Sequence, residues 1–151
     1  MQRAMKFSDL DEQQWNELKP YLDTCVIPVT GLSGAEAPWQ AVEGLERLRD
    51  WLDLVEQPFK GRIVTYPAMH YRMSDWEQTA AAVDELSRQL KQEQFRYVMV
   101  MSAMPWPKHI RCGAVDLHID ANVDESGNDL SGTVQEKVRE MWNKKLPEDE
   151  C

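Results

Sequence analysis

The stretch "TCVIPV", residues 24–29, decides how the rest of the chain is read. It is short, rich in β-branched side chains and apolar at successive positions, so neither of its faces is suited to water. A segment of that kind is a strand covered on both sides, the sort found in parallel sheets that carry helices on each face. Pro28 lacks the N–H that a ladder requires, which predicts that the strand stops there. The residues that follow, "TGLSGAEAP" at 30–38, read as a loop.

The flanking segments supply the helices. Ser8 opens "SDLDEQQWNELKPYLD", where Trp15, Leu18 and Leu22 share a face, so a first helix is predicted near residues 9–19. In "WQAVEGLERLRDWLDLVEQ" the residues Trp39, Val42, Leu45, Leu48, Leu52 and Val55 recur by threes and fours. They mark the inward face of an amphipathic helix ended by Pro58. "GRIVTYP", 61–67, is a second strand. "SDWE", 74–77, has the capping-box pattern, with Ser74 and Glu77 opening a helix that turns Trp76, Ala80, Val83, Leu86 and Leu90 inward. "FRYVMVMSA", 95–103, is a third strand, and "MPWPKHIRCG" is a Pro-rich connector.

A fourth strand is predicted at "AVDLHIDA", 114–121. Val115, Leu117, Ile119 and Ala121 would face inward there, with Asp116, His118 and Asp120 on a wet face near a sheet edge. Thr133 and Glu136 form a second capping-box pattern for a last helix carrying Val134, Val138, Met141 and Trp142 and ending at Pro147. The order αβαβαββα implies an α/β fold. It is a three-layer sandwich around a four-stranded, mostly parallel sheet, expected as a single domain over 1–151.

Composition narrows function by exclusion. The net charge is −9, which argues against nucleic acid and anionic membranes as partners, since both demand clustered Lys and Arg. No apolar run approaches the roughly 18 residues needed to span a bilayer. The first residues lack a signal peptide's apolar stretch, so a cytoplasmic location is expected. The cysteines, Cys25, Cys112 and Cys151, are odd in number and form no CxxC pair. That pattern supports neither a disulfide framework nor a zinc knuckle. Cys25 reads as a core residue and Cys151 as a tail thiol.

Two constellations invite a metal reading. Asp120, Asn122 and Asp124 match the first ligands of a calcium loop, but position 6 is Glu125 instead of Gly and position 12 is Ser131 instead of Glu. Asp116, His118 and Asp120 alternate on one strand about 7 Å apart, wide for three ligands on one ion. Zinc would also want a second His or Cys. The expectation is therefore no metal and no cofactor, with Asp116, His118, Asp120 and Asp124 as the residues to watch.

In an open parallel sheet, ligands sit beyond the carboxyl ends of the strands. Three segments qualify: Ser33 and Gly34 after the first strand, His70, Tyr71 and Arg72 after the second, and Ser102 and Trp106 after the third. Arg72 would hold an anion with help from free N–H groups at helix starts, His70 would move a proton, and Trp106 would be exposed to cover an apolar group. No P-loop, dinucleotide fingerprint or nucleophile elbow is present.

"YLDTCVIPV", "FKGRIVTYP" and "FRYVMVMS" carry a resemblance to the YpiF-like proteins, an uncharacterised family of short cytosolic proteins from Bacillus-type Firmicutes. The likeness spans roughly residues 5 to 105 in strands and spacings. It implies no active-site motif and therefore transfers no residue role. Members are often encoded near menaquinol–cytochrome c reductase genes, which implies a loose link to respiration. Two readings follow: a non-catalytic accessory or binding protein with a protein partner, or a small-molecule enzyme or anion-ligand binder using the crevice at the strand ends.

Overall fold

The computed structural model describes residues 6–110, 112–122 and 130–144. Among these residues, β1 (Thr24–Leu32), β2 (Ile63–Thr65), β3 (Met69–Tyr71), β4 (Tyr97–Ser102) and β5 (Leu117–Ile119) form one sheet. Around it lie α1 (Glu12–Leu18), α2 (Pro38–Glu56), α3 (Trp76–Glu93) and α4 (Leu130–Asn143), with a 3₁₀ turn at Phe7–Asp9. The strand order is β2-β1-β4-β5, with β3 continuing along β1 beyond β2, and each pairing is parallel. The three-layer α/β sandwich expected from the sequence is present.

Pro28 does not end β1. Every residue from Thr24 to Leu32 is buried, and β4 pairs with β1 without interruption from Thr24↔Tyr97 to Val29↔Ser102. Alternate residues of a parallel strand bond to alternate neighbours. The Val26 carbonyl accepts from the Tyr66 N–H on the β2 side (3.0 Å), so Pro28, two residues on, faces that same edge. There β2 has ended at Thr65 and β3 has not begun until Met69. The missing N–H of Pro28 thus falls in a gap between two edge strands. The expected single strand at 61–67 is accordingly a shorter β2, and His70 and Tyr71 belong to a strand instead of a loop. Pairing resumes out of step. Val29↔Met69 and Leu32↔Tyr71 set three steps on β1 against two on β3, and Gly31, at φ 83°, takes up the extra residue.

Alternation along β1 feeds two cores. Cys25, Ile27 and Val29 pack with Val83, Leu90 and the α1 residues Trp15 and Leu18. Val26 packs with Leu48, Leu52 and Val55 of α2 and Val134 and Val138 of α4. Helices α1 and α3 therefore cover one face, and α2 and α4 the other.

Three local expectations shift. The cap of α3 is Asp75, whose carboxylate accepts from the Glu77 N–H, so the helix starts one residue after Ser74 would place it. Helix α4 is already underway at Leu130, leaving Thr133 inside it. Of the face expected to be wet, only Asp116 is exposed: the His118 side chain is 8% exposed and Asp120 is buried, because the connector after β4 folds over them.

Substitution of Ile27 by Ala should cost about 2–5 kcal/mol in urea unfolding, since the residue is fully enclosed. Pro28→Val should cost about 1–3 kcal/mol, because the N–H it restores is buried and meets no waiting acceptor. A gain of stability at Pro28 would show that the gap supplies a partner after all.

Candidate functional site

The chain leaves β1 toward β2 through α2 on one face, and returns from β3 to β4 through α3 on the other. The carboxyl ends of β1 and β4 therefore flank a topological switch point, where an open α/β sheet forms its ligand crevice. In this protein the gap is covered from within. A Cβ added at Gly31 would lie 3.0 Å from the Met104 sulfur, so the Met104 side chain sits directly over β1's end.

The loop after β1 is closed by its own carboxylate. Glu36 accepts from the backbone N–H of Ser33 (2.9 Å to Oε2) and of Gly34 (3.0 Å to Oε1), and from the Ser33 hydroxyl (3.1 Å). The Ser33 N–H, foremost, holds this carboxyl down from 4.5 to about 2. The loop has the form of an anion nest, already filled. The helix starts nearby are also occupied: the Ala37 N–H donates to the Gln40 side chain, and the Glu77 N–H to Asp75. At each of these helix starts at least one N–H is therefore taken up by the protein's own side chain.

The remaining candidates disperse. His70 is exposed, with Nδ1 2.9 Å from the Thr30 hydroxyl. Thr30 in turn packs toward Gly44 of α2. Arg72 lies on the other layer, its guanidinium 5.3 Å from the centre of the Trp76 ring in α3 and bonded to the Met73 carbonyl. Its Nε is buried without a hydrogen-bond partner among the described residues. Tyr71 ends β3 and is exposed. Ser102 is fully buried and accepts from the Met104 N–H (3.2 Å). Trp106 is 1% exposed, contrary to expectation. Its indole N–H donates to the Ile110 carbonyl, and its ring packs against Trp76 and His118. Two prolines beside Trp106 predicted a projecting loop; instead they let the connector turn inward.

The strand row resolves into structural roles. Asp116 pairs with Lys91 (3.0 Å) and accepts from the Val98 N–H (2.9 Å), while its own N–H donates to the Val98 carbonyl. Its carboxylate thus replaces a strand carbonyl where the β4–β5 ladder begins. Asp120 accepts from the Asn122 N–H, and its second oxygen is 3.7 Å from His118 Nδ1. Asp124 lies outside the described residues, as does Cys151. Among the described residues no three His, Cys, Asp or Glu side chains converge as metal ligands. Cys25 and Cys112 are buried; burial pushes the Cys25 thiol up, and Cys112 Sγ donates to the Ala80 carbonyl. Neither is placed as a nucleophile.

Sequence reasoning passed over Glu36, although the signal was there: Ser33 followed three residues later by Glu is a capping-box spacing. Nothing local announced Asp116 as a ladder substitute, because its partners lie 18 and 25 residues away.

Residues 13–116 match the profile of a family described as Protein of unknown function (DUF2487). The chain belongs to this family. Its matched part runs from α1 through the connector after β4 and stops before β5, so the DUF2487 region contains the whole switch point. No curated protein and no solved structure matches the chain.

Two measurements check the site. The Glu36 carboxyl should titrate by NMR near pH 2. A depressed folded pKa contributes loop stability that is present above the ordinary value and lost as pH falls through the folded one. Ser33 and Gly34 amide exchange should therefore quicken at that acid end, and at neutral pH in Glu36→Ala. Asp116→Ala should cost about 1–3 kcal/mol by orphaning the Val98 N–H. Asp116→Asn should cost less, because its amide oxygen still accepts that bond.

Proposed function

We propose that the protein is a non-catalytic accessory protein that docks another protein through the exposed flank of α2. The observation that carries this reading is the stripe of Trp39, Val42 and Leu45, which are 63%, 51% and 41% exposed. They recur every three residues, and so line one flank of the helix. Single exposed apolar residues need no explanation, but a Trp-led stripe is the composition of an interface centre. Support also comes from the carboxyl ends of the strands, where Ser33, Gly34, His70 and Ser102 are bonded to the protein itself. A YpiF-like identity, a Firmicutes origin, a cytoplasmic location, one domain over 1–151 and the absence of a nucleic-acid partner belong to the same proposal.

A second reading keeps the crevice as a small anion site, and the buried Nε of Arg72 favours it. The two are separable. A photo-crosslinking residue at position 42 should give a discrete adduct with another protein in cells, and one at position 88 should not. Trp39→Ser combined with Val42→Ser should remove the partner's binding while shifting stability by only about 0.5 kcal/mol per site. No adduct at position 42, or equal adducts at both, would overturn the docking reading. Phosphate or a carboxylate metabolite that adds about 2.7 kcal/mol at one hundred times its Kd, and fails to do so in Arg72→Gln, would establish the anion site instead.

A further inference from the structure

A concavity of about 240 Å³ lies where the N-terminal turn and α1 meet the ends of β2 and α3, away from the switch point. Phe7, Trp15 and Tyr66 line it together with Asp11, Glu12 and Gln94. The aromatic walls are braced from behind. Tyr66 meets Phe95 edge-on at 5.3 Å between ring centres, Trp15 packs on Phe95 at 5.7 Å, and Phe7 tilts against Tyr66 at 6.4 Å. Phe7 is nonetheless 46% exposed, so the hollow opens to solvent beside an uncovered ring.

Charge around the hollow is mostly negative. The wall segments 7–18, 63–68 and 92–95 hold Asp9, Asp11, Glu12, Glu17 and Glu93 and no Lys or Arg. Of the cations bordering those segments, Lys6, Arg62 and Lys91 are paired with Glu56, Asp23 and Asp116, Arg96 lies against the Tyr97 ring, and Lys19 follows the last residue of α1. A hollow with aromatic walls and a rim of carboxylates attracts a cation through both the ring quadrupoles and the net negative field. A bare metal ion is a poor fit, since ring carbons offer it no ligand atoms. A phosphate or carboxylate would meet like charge. A hollow of about 240 Å³ suits a compact organic ion.

We propose that this hollow binds a small alkylammonium ion, with the ammonium head against the Trp15, Tyr66 and Phe7 rings and the Asp11 and Glu12 carboxylates supplying the counter-charge. The site is independent of the α2 docking surface, and its failure would leave that reading untouched.

Choline and its neutral isostere 3,3-dimethyl-1-butanol are the probes, followed by the Trp15 indole and Gln94 side-chain signals in NMR titrations of the full chain. Choline should move both signals at millimolar concentration, and the isostere should bind about tenfold more weakly, because it keeps the shape and loses the charge. Trp15→Leu should weaken choline by a similar factor. Should that variant unfold, Asp11→Asn combined with Glu12→Gln keeps the α1 cap, since Asn also caps well, and should weaken choline without changing the isostere. Equal binding of the two probes, choline binding unaltered by both sets of substitutions, or no shift at tens of millimolar would each overturn the proposal.

Discussion

Strand β1 is enclosed on both faces and hydrogen-bonded along both edges, and the rest of the molecule is arranged around that constraint. A proline in such a strand is tolerated only where a neighbour is missing, so the edge partner must break opposite Pro28. Pro67 lies in that break, between β2 and β3. The edge then resumes out of register, and Gly31 absorbs the difference with a backbone conformation that side-chain-bearing residues rarely adopt. Its lack of a Cβ is also what admits Met104 over the strand end. A single residue that cannot donate a hydrogen bond thus propagates, through register, to the covering of the switch point.

The opposite end of the sheet is fastened by polar groups from distant parts of the chain. The Trp142 indole N–H in α4 donates to the Thr24 hydroxyl at the start of β1 (2.8 Å). Arg62 lies 3.9 Å from the centre of that indole and forks onto Asp23. Glu56, only 2% exposed, is held by Lys6 and by the Thr65 hydroxyl, which ties the N-terminal segment to the end of α2. An ion pair in such a place adds little net stability over a well-packed apolar pair, but losing one partner would strand a buried charge. These contacts fix where segments lie more than they add to the total.

How far the sequence could be read follows from the range of the forces involved. Apolar periodicity is local, so the alternation of helices and strands, the layers and the parallel sheet were legible in windows such as 24–29 and 95–103. Pro28 misled because its tolerance depends on a neighbour 40 residues away. Trp39, Val42 and Leu45 misled because periodicity reports a helix face without saying whether anything covers it. His118 and Asp120 were read as wet because alternation in 114–121 says nothing of a connector folding back over the strand, and Trp106 because flanking prolines mark a turn without saying which way it points. For the candidate site the outcome was poorer. Residue types at strand ends showed where a ligand would sit, but whether their donors were available depended on Glu36, Thr30, Trp76 and Met104.

The bare flank of α2 is a consequence of how that helix enters. The Glu36-closed loop and the capped Ala37 fix its start beyond the carboxyl end of β1, and its buried side chains begin only at Leu48. The first turns meet the sheet through small residues, with Gly44 close to Leu32 and Thr30, and leave the larger side chains of the outer flank uncovered. A position facing only water has no physical need for a large apolar side chain, and covering one is worth about 1.5–3 kcal/mol. The fold gains no such burial at Trp39 and Val42, since both are more than half exposed. The term is available only to whatever covers them, which is why the docking surface proposed above lies on the helix that leaves the sheet.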